Sequence, residues 1–174
     1  MTPDRRQFAG LMAAAGLAGW PSLAGAQITM PAPPPEPEGS SHQPTLDALE
    51  EALRASWGRD TSDDPDQWTP ENPALGQCAV SALVIRAVYG GEILIATVLD
   101  RHGERTPDGH AWNRLPDGKE VDISFDQFRD GEQLATPLVT EPVIAGDPHR
   151  HRLLAQRVEE RLGIEIDRSR IDPR

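Results

Sequence analysis

From Cys78 to Tyr89 the chain reads CAVSALVIRAVY, and Arg86 is its one charged residue. A helix drawn through this run carries apolar side chains on most of its sides, and Gly90-Gly91 ends it as a C-terminal cap. Such a helix needs cover all round, so it predicts a central element against which the rest of the domain packs. EILIATVL (92–99) follows directly and has the β-branched composition of a strand. Pro116-Asp117-Gly118 is a strong hairpin signal joining strands at 110–115 and 119–123, with 101–109 as a loop. Upstream, Thr45 is a candidate N-cap for a helix bearing Leu46, Leu49, Leu53 and Trp57 at helical spacing. Downstream, Asp147 before Pro148 caps a last helix to about Leu162, with Leu153, Leu154, Val158 and Leu162 on one face. The order predicts an α+β domain over 45–165: an N-terminal helix, the central cysteine-bearing helix packed on a small three-stranded antiparallel sheet, and a C-terminal helix. In so small a domain, the central helix is expected across the sheet face that carries His110 and Asp122.

The flanks read differently. Residues 1–26 combine Arg5-Arg6, an apolar stretch from Phe8 to Ala24 and the small-x-small Ala24-Gly25-Ala26, as in a secretory signal of the twin-arginine type cleaved after Ala26. The expected localisation is therefore periplasmic or exported. Residues 27–44 form a tether in which five prolines between Pro31 and Pro37 favour extended geometry. Residues 166–174 are expected as a polar tail. In the loop at 58–73, Asp60, Asp63, Asp64 and Asp66 lack the spaced acidic pattern of a calcium loop, and a solvated turn is expected there. The whole chain carries a formal charge of −11, and without Asp4, Arg5 and Arg6 the remainder carries −12. That excess argues against nucleic acid or an anionic lipid surface as partner, since both call for clustered Lys and Arg. The expected partner is a small-molecule, peptide or cell-wall substrate, with no membrane contact beyond the export signal.

A single cysteine rules out an internal disulfide and leaves a thiol that is buried, reactive or used between chains. Cys78 stands where the central helix begins, where aligned backbone dipoles favour a thiolate and free N–H groups can stabilise an oxyanion. His110 and Asp122 flank the hairpin at matching distance from its turn, so an imidazole and a carboxylate can meet across the ladder on one face. Nucleophile, base and ring-orienting carboxylate form the catalytic set Cys78, His110 and Asp122. Gln77 is expected to donate its amide to substrate and Trp112 to wall the pocket, whereas Asn113 faces away from His110 by strand alternation. A metal would need a ligand beyond these three, and only Glu120 or His102 offers itself, neither at tight spacing. Neither a metal nor a cofactor is expected.

GQCAVSALV (76–84), Tyr89 to Leu94, HAWNRLPDG (110–118) and VDISFDQF (121–128) make the segment from Trp68 to Phe128 resemble the YunG-like family of small bacterial proteins. More distantly, His110-Ala-Trp112 and Val121-Asp122-Ile123 look like the His and Asp strands of transglutaminase-like thiol enzymes, whose cysteine also starts an upstream helix. The resemblance implies a papain- or transglutaminase-like architecture. Two functions follow from the same residues: a thiol hydrolase or acyl transferase acting on an amide, ester or isopeptide, or a binding or structural module of the cell envelope that uses the pocket without chemistry.

Overall fold

The computed structural model describes residues 43–140 and 147–171. The expected signal at 1–26 lies outside the described residues, as does the tether except for Gln43 and Pro44. Helix α1 (Leu46–Ser56) starts at Thr45, whose hydroxyl accepts the Ala48 N–H at 3.3 Å. Helix α2 (Cys78–Tyr89) ends on Gly90 and Gly91, both with positive φ. Helix α3 (Pro148–Leu162) starts at Asp147, which accepts the His149 N–H at 2.9 Å, and ends on a left-handed Gly163. Caps of this kind satisfy backbone groups that the helix itself cannot. No helix among the described residues is long and apolar enough to cross a membrane.

Five antiparallel strands form the sheet: β1 (Glu92–Leu99), β2 (Arg105–Arg114), β3 (Glu120–Val121), β4 (Gln133–Leu134) and β5 (Leu138–Thr140). Across the sheet the order is β3-β2-β1, and the far edge of β1 is shared by β4 at Val98–Leu99 and β5 at Ile93–Ile95. The expected three strands are thus joined by two short ones. Both are held by backbone pairing to β1, and Leu134 of β4 also packs against Leu94, Ala96 and Trp112.

Strand β2 begins at Arg105, five residues before its expected start, because β1 carries it across a bulge between Thr97 and Leu99. The turn at 116–118 forms as read: Gly118 has φ 87° and the Asp117 side chain accepts the Lys119 N–H at 2.9 Å.

Helix α2 is covered from two directions. Val80, Val84 and Ile85 pack with Leu49 and Leu53 of α1 and Leu154, Ala155 and Val158 of α3. Ala82 and Leu83 pack on Ile93 and Ala111 of the sheet, and the Asn113 side chain donates to the Ala82 carbonyl at 3.0 Å. Alternation therefore puts Ala111 and Asn113 toward α2, and His110 and Trp112 on the opposite face. This corrects the expectation that α2 lies across the His110 face. The helix needed an apolar surface, and Ile93, Ile95 and Ala111 supply it. The polar tail expected from 166 is corrected too. Ile166 and Ile171 are buried in the α1–α2–α3 core, and a 3-10 turn at Arg168–Arg170 joins them.

Two of the four aspartates between 58 and 66 anchor α3, and Asp64 bonds within the loop to Gln67. Asp60 pairs with Arg157 and Asp63 with Arg150, both at 2.6 Å. The tightest backbone approach lies between α2 and β1, where Gly91 (φ 84°) passes the Arg114 carbonyl so closely that a Cβ would overlap it. Gly91→Ala is expected to cost about 2–3 kcal/mol, the sum of a left-handed backbone and a displaced strand. Thermal unfolding measures it, and an unchanged midpoint would contradict this packing.

Candidate active site

Cys78 is the first residue of α2 and is half-buried. No side chain caps the helix start, so the positive end of its dipole faces the thiol. A cleft of about 1140 Å³ opens here, lined among others by Gly76, Cys78, Val98, Gly109, Gln127 and Phe128.

His110 sits midway along β2 and is almost wholly buried, at 1% exposure. Strand β3 stops at Val121, opposite Asn113, so at His110 β2 is paired with Ala96 of β1 on one side and has no ladder partner on the other. The chain from Asp122 to Phe128 takes that place. Asp122 leaves the ladder in a turn closed by the Ser124 N–H, which donates to Oδ1 at 3.1 Å. Its other oxygen, Oδ2, meets His110 Nε2 at 2.7 Å. Phe125 and Phe128 stand edge-on to the ring at centroid distances of 6.3 and 5.0 Å. Trp112 stacks on it at 5.8 Å and 22°, while its indole N–H donates to Glu120 at 3.0 Å.

The second ring nitrogen, Nδ1, meets the Gln127 amide nitrogen at 2.8 Å. Gln127 Oε1 accepts the Gly76 N–H at 3.3 Å, which orients the amide with its NH₂ toward the ring. The turn carrying Gln127 is fixed at both ends. Arg54 of α1 pairs with Asp126 at 2.6 Å and bonds the Ile123 carbonyl, while Asn72 donates to the Gln127 carbonyl at 3.0 Å.

Burial works against a charged ring, whereas hydrogen bonding and charge from Asp122 and Cys78 push the His110 pKa up from 6.5 toward about 9. His110 is thus bonded to Asp122, and Cys78 is near enough to act on the ring's charge, although the helix and the histidine occupy opposite faces of the sheet.

The two residues expected to bind substrate are placed otherwise. Gln77 is fully buried; its Oε1 accepts from Thr61 and its Nε2 donates to the Gly58 carbonyl, each at 2.9 Å. Both ends of the amide thus hold the 58–61 turn, and Gln77 does not line the cleft. Trp112 backs the imidazole and also does not line the cleft.

Sequence reasoning missed Gln127, Phe125 and Phe128. They lie in a 3-10 turn and its cap with no periodicity, and their shared contact with His110 depends on where the chain bends after Asp122. Among the described residues, no group of three or more His, Cys, Asp or Glu is arranged to hold a metal ion.

Fold and site together define a small α+β domain in which a helix-start thiol opens on a cleft and a buried imidazole is held by a carboxylate. The chain belongs to the YunG protein family, whose model matches residues 45–163. It is 35% identical over 77 residues to the uncharacterized protein YunG of Bacillus subtilis (strain 168). That alignment covers 44% of this chain and 57% of the relative, so the chain spans a little over half of that protein's length. No solved structure matches.

Because the His110 ring is buried, removing its carboxylate partner leaves a polar nitrogen unsatisfied. Asp122→Ala is expected to destabilise the domain by about 1–3 kcal/mol, read as a lower thermal midpoint. An unchanged midpoint would count against the contact.

Proposed function

We propose that this protein is an exported thiol hydrolase or acyl transferase acting on an amide, ester or isopeptide of the cell envelope. The observation that carries this reading is a His110 ring bonded through Nε2 to Asp122, with Cys78 at an uncapped helix start in an open cleft and near enough to favour the charged ring. Arg5-Arg6 and the apolar stretch ending in Ala24-Gly25-Ala26 support export. The likeness of the His110 and Asp122 segments to transglutaminase-like enzymes supports the reaction class.

Chemistry follows from those groups. The Cys78 thiol gives its proton to His110 Nδ1, while Nε2–H stays bonded to the Asp122 carboxylate. The thiolate sulfur bonds to the substrate carbonyl carbon, and the π electron pair moves to oxygen, where N–H groups at the start of α2 stabilise it. When the tetrahedral centre collapses, the bond to the amine or alcohol breaks, and the leaving group takes the proton from Nδ1. Water then attacks the thioester, giving a carboxylic acid and the free thiol. An amine in place of water gives a new amide.

One observation favours the second reading, a binding module without chemistry: Gln127 already occupies the nitrogen that would serve the thiol. Reactivity separates the two. Iodoacetamide labelling of Cys78 between pH 5 and 9, together with turnover of an activated p-nitrophenyl ester, is the test. Catalysis requires ester turnover that is lost in Cys78→Ala and in His110→Asn, and labelling that persists below the ordinary thiol pKa of about 8.5 would add a resting thiolate to it. Labelling that follows an ordinary thiol, with no turnover, would overturn the enzyme and leave the binding module.

A further inference from the structure

The amide of Gln127 is in an unusual place for a site that needs a free base. Its NH₂ can only donate, so Nδ1 at 2.8 Å must be an acceptor, and the ring's one proton lies on Nε2 toward Asp122. A protonated Nδ1 would point a hydrogen at the amide hydrogens. Turning the amide over would bring Oε1 to the ring, but it would then leave the Gly76 N–H without its acceptor. Gly76 is itself fixed, since it has φ 69° and its carbonyl accepts the Asp63 N–H at 2.9 Å.

We propose that Gln127 is the positioning residue that holds His110 as the neutral Nε2–H tautomer, so that Cys78 rests as a thiol until the amide leaves Nδ1. This rests on the thiol-enzyme reading of the site and adds to it a resting state. A substrate carbonyl oxygen in the cleft is the natural competitor, because it accepts the same N–H that Gln127 gives to Nδ1. Once that N–H turns to the carbonyl, the lone pair on Nδ1 is free to take the Cys78 proton, and the amide lies beside the oxygen that becomes negative.

The groups around the ring leave Gln127 as the element that opposes protonation by hydrogen bonding. The titratable groups facing it are Asp122, from the turn after β3, and Cys78, from α2. Both favour the imidazolium. From β2 and the 3-10 turn the ring meets Trp112, Phe125 and Phe128, which carry no charge. Nearby, Asp126 is paired with Arg54 and Glu120 with Arg114. Asp122 and Cys78, acting against burial, push the ring toward about 9, and Gln127, which is not among the causes of that shift, opposes them through its hydrogen bond to Nδ1.

Ring ¹⁵N NMR of the full chain, with the His110 signals assigned through His110→Asn, reads the tautomer directly. Wild type is expected to show a neutral Nε2–H ring at pH 7. Gln127→Ala is expected to show an imidazolium at pH 7, since Asp122 and Cys78 both favour the charged ring. Stability from the charged ring in that variant should be complete below the ordinary histidine pKa and fade as pH rises through the raised one. Gln127→Glu keeps an acceptor for the Gly76 N–H and offers a carboxylate to Nδ1–H, so it should give the same imidazolium if the alanine variant fails to fold.

Cys78 alkylation at pH 6.5 should rise about tenfold or more in either variant, as expected when a thiol gains an imidazolium neighbour. A wild-type ring already charged at pH 7, or variant rings still neutral there, would overturn the proposal. If the ring responds as expected but no form turns over an activated ester, the tautomer assignment stands and the enzyme reading falls.

Discussion

A helix with apolar residues on most of its sides must be covered on all of them, and the rest of this domain is arranged to meet that demand. Side chains of α2 reach in two directions. Val80, Val84 and Ile85 enter a core shared with α1 and α3, and Ala82 and Leu83 rest on β1 and β2. Leu83, Val80 and Val84 are completely excluded from solvent. Apolar burial of this kind is the main favourable term in folding. The polar contacts between elements then select one arrangement of the cover. Trp57 bonds to Ser81 and Asn113 bonds to the Ala82 carbonyl, while Arg150 and Arg157 pin α3 to the loop before α2.

The candidate site is a consequence of where that cover ends. Strand β3 is only two residues long, and past it the chain has to leave the ladder. Asp122 turns on its own side chain, and the following 3-10 turn closes over His110 with two aromatic rings and an amide. The result is an imidazole sealed on most sides, with one nitrogen on a carboxylate and the other on Gln127. The start of α2 opens on the same end of the domain, where Cys78 shares a cleft with Gly109 and with Gln127, the residue that bonds the ring. A buried, fully bonded imidazole is stiff, and stiffness of this kind is what a base needs if it is to be set by its partners rather than by water.

Much of this was written locally. The α2 run carries its own cap in Gly90-Gly91, Thr45 and Asp147 carry helix starts, and Pro116-Asp117-Gly118 carries its turn, so those elements appear where the residues put them. That His110 and Asp122 fall on one side of the hairpin was legible from strand alternation. They do not oppose each other across the ladder, which ends at Val121, and the contact forms where Asp122 turns away from it. Strands β4 and β5 were not legible, because they are held by the edge of β1 and have no pattern of their own. Ile166 and Ile171 looked like part of a polar tail because two isolated apolar residues among charges have no periodicity. Their burial depends on α1, α2 and α3 already standing together.

By itself, then, the sequence determined the α+β class, the helix and hairpin boundaries that caps and turns encode, and the candidate thiol, imidazole and carboxylate. Tertiary structure alone decided which face of the sheet α2 covers. Ile93, Ile95 and Ala111 offered it an apolar surface, while the His110 face was closed by Trp112 and the phenylalanines instead. It also decided the use of two glutamines. Gln77, beside the cysteine in the chain, is spent on Thr61 and Gly58, whereas Gln127, forty-nine residues beyond Cys78, stands on the base. Adjacency in sequence placed the first within reach of the site, but hydrogen-bond satisfaction of a buried turn drew it away. The second arrived because the chain had to bend where its strand ran out.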